Sequence, residues 1–257
     1  MASASVPNKA VPDDFLLRAA TRLTLPSQAF FQAYVYYHRY QRTLATTSQP
    51  QPNPGGLPNQ ETRPQSILLD NHMVILGCIL LSGKACEEVR QIKDIINVGH
   101  HIINPDTPFL NVGTVFHQLQ STLETIELCL LRILRFDMTT DLPYPWIRYI
   151  CEGQVEAYPE VQQRVTMNHL MQLTWAFAND CARESSIVLN HTGRAIAAAC
   201  TATAMLTLRV PTPVLLDKWS KEWGRCSPDA LQGIVQKLEQ LYSQQLSLDT
   251  VEPFNFD

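Results

Sequence analysis

The 257-residue sequence lacks the features that mark most enzymes and membrane proteins. It has no apolar run near the roughly 18 residues of a membrane span and no apolar stretch of the signal-peptide type at its start. Glycine-rich nucleotide loops and the GxSxG and HExxH signatures are missing as well. These absences favour a soluble, intracellular protein without catalytic residues.

Disulfide and metal patterns are also missing. The seven cysteines occur singly, without a CxxC pair, so a reducing compartment is expected. His100 and His101 are adjacent and would point to different helix faces, and no Cys or carboxylate completes a site with them. We therefore expect no metal and no cofactor. A net charge of −4 argues against a direct nucleic-acid partner.

Strand-like alternation is absent, whereas helical periodicity runs through the chain, so the predicted fold class is all-α. The helices fall into two successive sets, each built around a strongly apolar helix. Proline, polar and capping residues give the following predicted boundaries. They are a disordered N-terminus at 1–11, a first bundle at 12–140 with a proline-rich loop insertion at 46–66, a linker and short helix at 141–160, a second bundle at 161–247 and a tail at 248–257.

Two apolar helices of the first bundle each show one narrow face that carries charge. The first helix lies within residues 67–88, and its charged face holds Gly77, Leu81, Lys84 and Glu88. The second lies at about 115–136, and the corresponding face holds Glu124, Glu127, Leu131 and Arg135. Because both helices are otherwise apolar, the two faces indicate a shared docking surface.

The segment LSGKACEE, followed by KDIINV and then by ETIELCLLRILRFD, resembles the cyclin box of the transcription-associated cyclins. The resemblance is greatest to cyclin Q, then to cyclins L and K, and covers about residues 12–150. It implies two tandem cyclin boxes, each a five-helix bundle, in a regulatory subunit that activates a cyclin-dependent kinase. The implied partner in this heterodimer is a kinase of the cyclin-dependent kinase ten type or another transcription-branch kinase. The implied location is the nucleus, with the cytoplasm as a second location.

The resemblance also implies roles for individual residues. Lys84 matches the lysine of the family motif, and Glu127 matches the glutamate nine residues before the aromatic Phe136. In cyclins this pair holds main-chain groups of the kinase just before its αC helix. Leu81, Ala85 and Leu131 match positions that pack against αC. With Glu88, which shares the face of Lys84, they complete the predicted kinase-binding set.

Two other functions are open at this point. Tandem cyclin folds of the TFIIB type bind promoter DNA, and that function would require a basic surface whose binding is sensitive to salt. A non-catalytic scaffold would instead use Trp219 and Trp223, which lie on one helix face at i, i+4 spacing. The commoner role of such a tryptophan pair is to anchor the core of a bundle.

Overall fold

The computed structural model describes residues 12–47, 70–157, 166–209 and 216–249. Within these ranges every regular element is a helix, which confirms the predicted all-α fold. The chain divides into two compact units, residues 1–139 and 140–257. None of the helices so described is long and apolar enough to cross a membrane. The predicted disordered N-terminus, nearly all of the 46–66 loop and most of the 248–257 tail lie outside the described residues.

The first unit is organised around one buried helix. Its described helices are α1 (Pro12–Arg22), α2 (Ser27–Thr47), α3 (Asn71–Ala85), α4 (Ile92–Ile103) and α5 (Thr114–Ile133). Every residue of α3 from Val74 to Gly83 is buried, and α3 packs against the other four helices. A helix that is apolar all round is stable only when it is surrounded in this way. Its N-terminus is capped by Asp70, whose carboxylate accepts the His72 N–H at 3.2 Å.

The second unit repeats the plan around a central helix with smaller side chains. Its described elements are α6 (Tyr144–Ala157), α7 (Met167–Cys181), α8 (Ser185–Val188), α9 (Gly193–Thr207), α10 (Leu216–Trp219), a π-helical turn (Ser220–Gly224) and α11 (Pro228–Asp249). The alanine-rich α9 is buried from Gly193 to Met205 and packs against α6, α7, the π-helical turn and α11. Small side chains allow these neighbours to approach α9 closely.

Two local features shape the second unit. Residues 185–207 form two helices, α8 and α9, because Thr192 caps α9 by accepting the Ala195 N–H at 3.2 Å. Residues 141–160, predicted as a linker with a short helix, contain the 14-residue α6. Tyr144, Ile147 and Ile150 of α6 are buried, so this helix is part of the second core.

Candidate functional site

Lys84 of α3 and Glu127 of α5 form a bidentate ion pair at the surface of the first unit. The Lys84 Nζ atom lies 2.6 Å from one carboxylate oxygen of Glu127 and 2.8 Å from the other. The Lys84 side chain is 43% exposed and that of Glu127 is 15% exposed. An exposed pair of this kind contributes only about 0–1 kcal/mol to stability. The pair is therefore more important for the polar groups that it leaves available to a partner than for stability. These groups are the third ammonium N–H of Lys84 and the unused carboxylate lone pairs of Glu127.

A close approach of α3 and α5 positions this pair. A Cβ atom built at Gly77 would lie 2.7 Å from Ile126 Cγ2 and 3.0 Å from Leu130 Cδ1. Only glycine leaves room for the two helices at this distance. Lys84 lies about two turns beyond Gly77 on α3, and Glu127 directly follows Ile126. The glycine contact therefore holds the two charged side chains within reach of each other.

Both helices end sharply beside the pair. After α3, Glu87 has a left-handed φ of 60°, and the Glu88 N–H donates to the Gly83 carbonyl at 2.8 Å. After α5, Arg135 and Phe136 have φ values of 54° and 58°, and the Phe136 N–H donates to the Leu131 carbonyl at 2.8 Å. These bonds belong to the Schellman type of helix end, which usually uses glycine at the left-handed position.

Apolar side chains with exposed surface lie on the same two helices as the charged pair and just beyond the end of α5. Leu128, next to Glu127 on α5, is 58% exposed, and Phe136 is 69% exposed. Ala85 is exposed and Leu131 is half-buried. Exposed apolar side chains of this size are typical of protein–protein interfaces. We call Lys84, Ala85, Glu127, Leu128, Leu131 and Phe136 the pair site.

Three residues that the sequence prediction placed on the charged faces lie elsewhere in the structure. Leu81 is 4% exposed and lies in the core of the first unit. Glu88 lies beyond the end of α3, not on its helical face, and its carboxylate is 3.6 Å from the Arg90 guanidinium. Arg135 likewise follows the end of α5. In both helices the left-handed residue turns the chain away before the predicted face is complete.

Sequence reasoning missed Leu128 and used Phe136 only as a marker for Glu127. An apolar helix has no hydrophobic period that shows which leucine faces solvent, so nothing in the sequence singled out Leu128. For Phe136 a signal was present, because it closes the Leu-x-Phe segment of the family motif. Its exposure follows from the left-handed helix end, which carries no glycine in this sequence.

A hydrogen-bond network from α2 supports the chain that follows Phe136. The Gln32 amide and the Tyr36 hydroxyl both donate to the Met138 carbonyl, each at 2.9 Å. The Arg39 guanidinium donates to the Asp137 carbonyl at 3.1 Å and to the Thr139 carbonyl at 3.0 Å. The Cys86 thiol donates to the Gln32 amide oxygen at 2.9 Å. Burial raises the pKa of Tyr36 to about 12, which keeps its hydroxyl a donor. The network ties the ends of α3 and α5 to α2.

The remaining candidates from the sequence form no second site of this kind. Among the residues described, no group of three or more His, Cys, Asp or Glu side chains could hold a metal ion. Trp219 and Trp223 are in contact, with ring centroids 6.3 Å apart. The Trp219 indole N–H donates to the Ala198 carbonyl at 3.1 Å, and the side chain is buried. Trp219 therefore anchors the core of the second unit.

Comparison with known proteins gives relatives of one kind. No protein-family model matches the chain. Cyclin-T1-5 of Arabidopsis thaliana is 29% identical over 180 residues, which are 68% of this chain and 29% of that protein. A cyclin-L1-like protein of Schizosaccharomyces pombe is 25% identical over 186 residues, 67% of this chain and 66% of that protein. Cyclin-L1 of Gallus gallus is 27% identical over 175 residues, 66% of this chain and 31% of that protein.

A solved structure shares the fold. One chain of the yeast RNA Pol II CTD kinase CTDK-1 complex has a TM-score of 0.66 at 16% identity, covering 96% of this chain and 69% of that chain. The chain is thus an all-α protein of the cyclin fold. The relatives found by these comparisons are cyclins of the T and L types. The chain spans less than a third of the length of the T-type relatives it matches first.

Proposed function

We propose that the chain is the regulatory, non-catalytic subunit of a cyclin-dependent kinase and binds that kinase through the pair site. The observation that carries the proposal is the preformed Lys84–Glu127 pair, on helices that also carry the exposed side chain of Leu128 and end near the exposed Phe136. The cyclin homologues support it. The proposed partner is a transcription-branch kinase, such as one of the cyclin-dependent kinase ten type, acting in the nucleus on transcription-related substrates.

The proposed mechanism is a shift between two positions of the kinase αC helix. A protein kinase is active only when its αC glutamate reaches the β3 lysine and its activation loop is ordered. A rigid helical surface that binds the inward position of αC better than the outward one shifts the kinase towards the active state. In this mechanism the activation of the kinase comes entirely from the difference in affinity for the inward and outward positions of αC.

The pair site suits a contact to main-chain groups of a partner. Lys84 offers an ammonium N–H to a carbonyl, and Glu127 offers a carboxylate oxygen to an N–H. Hydrogen bonds to such charged groups contribute about 1.5–3 kcal/mol each. Because Lys84 and Glu127 already fix each other, little side-chain freedom is lost on binding. Leu128, Leu131 and Phe136 add apolar surface that excludes water from these bonds.

Charge reversal and charge exchange together test the proposal. The single variants are Lys84→Glu and Glu127→Lys, and the double variant Lys84→Glu/Glu127→Lys keeps an ion pair while it exchanges donor and acceptor. Each tagged chain is purified from its native cell extract, bound kinases are identified by mass spectrometry, and their activity on a protein substrate is assayed. The control is the exchange Arg148→Glu/Glu152→Arg, at an exposed pair of the second unit with a 2.7 Å contact.

All three pair-site variants should lose the kinase. Each single variant loses one charge-assisted bond and places two like charges together, and the double variant misplaces both bonds, which weakens binding by roughly a hundredfold or more. The Arg148/Glu152 exchange should keep it. If the double variant holds an active kinase as well as the wild type does, the pair does not bind the kinase and the proposal fails. A salt-sensitive gel shift with duplex DNA would then favour the DNA-binding alternative. Partners that survive the loss of Lys84 would favour the scaffold.

A further inference from the structure

Three aromatic side chains lie together on the surface of the second unit, where α6 contacts the π-helical turn. They are Trp146 and Tyr149 of α6 and Trp223 of the turn. Tyr149 is 54% exposed, and the two tryptophans are half-buried, unlike the core residue Trp219. We call these three side chains the aromatic face. Aromatic residues with exposed surface are enriched where proteins bind other proteins.

The three rings are adjacent but not parallel. The centroids of Trp146 and Tyr149 lie 6.5 Å apart with the ring planes at 80°, and those of Tyr149 and Trp223 lie 5.8 Å apart at 56°. At these angles neighbouring rings do not cover each other, so part of each ring surface is left for a ligand. An extended chain that crosses the face would therefore meet three rings in succession.

Arg194 of α9 fixes the rings in place. Its guanidinium carbon lies 4.8 Å from the centroid of the Trp146 ring and 5.7 Å from that of Tyr149. The guanidinium also donates to the main-chain carbonyls of Trp223, at 2.7 Å, and of Glu222, at 3.0 Å. Arg194 is 9% exposed and forms no ion pair with any residue in the described ranges. Ring faces and carbonyls thus hold its charge, and they join α6 to the turn.

The π-helical turn brings Trp223 directly against α6. A Cβ atom built at Gly153 would lie 2.9 Å from Trp223 Cζ3, so the indole fits there because residue 153 has no side chain. The turn ends at Arg225, which has a left-handed φ of 48°, and the Cys226 N–H donates to the Ser220 carbonyl at 3.1 Å. Turns of the π type are rare and frequently occur at functional sites. The aromatic face is therefore preformed.

The face presents hydrogen-bond donors that the chain itself does not use. The indole N–H groups of Trp146 and Trp223 and the Tyr149 hydroxyl donate to no residue in the part of the chain that the structure describes. Neither indole N–H is a buried atom without a partner, so both lie at the surface. An indole N–H can donate but cannot accept. The face therefore suits a ligand whose free main-chain groups are mainly carbonyls.

Charge beside the face is largely compensated. Arg148 pairs with Glu152 at 2.7 Å, and Lys218 pairs with Glu222 at 4.0 Å. Lys221 is the one other cation of α6, α10 and the π-helical turn. A single lysine does not form the basic stripe that a nucleic acid requires, nor a cluster that would attract an acidic peptide. The charges therefore favour an uncharged ligand.

We propose that the aromatic face binds an uncharged, proline-rich segment of a partner protein in the polyproline II conformation. Proline has no N–H, so such a segment presents carbonyls to the indole and phenol donors. Its rings pack on the aromatic rings, and little conformational freedom is lost because polyproline II is preformed. A helical segment fits less well, because its carbonyls are already bonded within the helix.

Fluorescence polarisation with short labelled peptides and the full chain tests this binding. The first peptide set repeats Pro-Pro-X, where X is Ala, Leu or Gln. The second set has alanine at every proline, and the third has D-proline, which keeps the chemical groups but reverses the hand of the helix. The protein variants are Tyr149→Ala, which removes the most exposed ring, and Tyr149→Phe, which removes only its hydroxyl. The control is Leu206→Ala, at a side chain of the second unit that is 59% exposed.

The proline set should bind the wild type at least about tenfold more tightly than the alanine and D-proline sets. Tyr149→Ala should weaken this binding by about tenfold, because a ring and a donor are both lost. Tyr149→Phe should weaken it by about threefold, and Leu206→Ala should leave it unchanged. Lys84→Glu should also leave it unchanged, which separates this outcome from that of the kinase experiment.

Four results would overturn the proposal. The first is equal binding of the three peptide sets, or no binding of the proline set. The second is a loss in Leu206→Ala as large as that in Tyr149→Ala. The third is a preference for the alanine set, which would assign the face to a helical partner. The fourth is self-association of the wild type that Tyr149→Ala abolishes, since a second copy of the chain would then cover the face.

Discussion

Replacing Gly77 by alanine should destabilise the first unit, even though alanine is the better helix former. A helix-interior Gly→Ala change by itself gains about 0.5–1 kcal/mol. At Gly77 the new Cβ would lie 2.7 Å from Ile126 Cγ2, a branched methyl fixed close to the α5 backbone. The clash cannot be relieved by moving the flexible end of a side chain, so α5 itself must shift. Overpacking of this kind costs roughly 1–3 kcal/mol, which leaves a net loss of about 1 kcal/mol.

Gly233 of α11 provides the matched control, because a Cβ built there meets nothing within 4 Å. Gly233→Ala should therefore stabilise the second unit by about 0.5–1 kcal/mol. The difference between the two variants cancels the helix propensity and leaves the overpacking alone, about 2 kcal/mol. A loss of 1 kcal/mol lowers the melting temperature by roughly 4 °C in a unit of 139 residues.

Thermal unfolding of the full chain measures both variants, and hydrogen exchange assigns each change to α3 and α5 or to α11. A double-mutant cycle adds a test of the contact itself. Ile126→Ala removes the clashing methyl, so it should cost less in the Gly77→Ala background than in the wild type. If Gly77→Ala is as stabilising as Gly233→Ala, the α3–α5 contact is not tight and the account of how the pair site is positioned fails. Kinase capture should fall with Gly77→Ala and stay unchanged with Gly233→Ala.

Three further predictions concern single side chains. Gln154 is fully buried and both its amide atoms lack a hydrogen-bond partner, so Gln154→Met should raise stability by about 1–3 kcal/mol in chemical denaturation. Burial raises the pKa of Tyr36 from 10.0 to about 12. The neutral phenol therefore stabilises the fold fully below pH 10, and about 2–3 kcal/mol should be lost as the pH rises from 10 to 12, a loss absent from Tyr36→Phe. Phe136 has a φ of 58°, so Phe136→Gly should be more stable than Phe136→Ala by about 1 kcal/mol in thermal unfolding, while both weaken kinase capture.

The starts of the helices were predictable from the sequence, because their signals are local. Pro12 and Pro228 begin α1 and α11, and Ser27 begins α2, and all three are residue types that favour helix starts. The ends of α3 and α5 were not predictable from the sequence. Glu87, Arg135 and Phe136 take the left-handed conformation, which is normally predicted only where glycine occurs. The misplacement of Glu88 on the α3 face follows directly from that missing signal.

The pair site was also predictable only in part. Spacing along one helix places Lys84 on a face of α3 and Glu127 on a face of α5, but their contact depends on the approach of two helices. That approach is set by Gly77 against Ile126 and Leu130, a long-range packing fact that no local pattern records. The family resemblance named the two charged residues without giving their mutual geometry. The family resemblance and the helical row shared with Lys84 both assigned Leu81 to the partner surface, but its side chain is only 4% exposed.

Both helix ends at the pair site use a non-glycine residue where glycine would cost less. A left-handed residue with a side chain costs on the order of 1 kcal/mol, and such strain is often found at functional sites. At α5 the conformation places an aromatic ring, Phe136, in solvent beside Leu131, where an unbound chain gains nothing from it. The exposed apolar surface is removed from water when a partner covers the ring, and that gain offsets the backbone strain. The exposed Phe136 ring and the left-handed helix end are unfavourable for the free chain, and the Lys84–Glu127 pair is nearly neutral for it. All three would become favourable in the proposed complex, so they support the same binding surface.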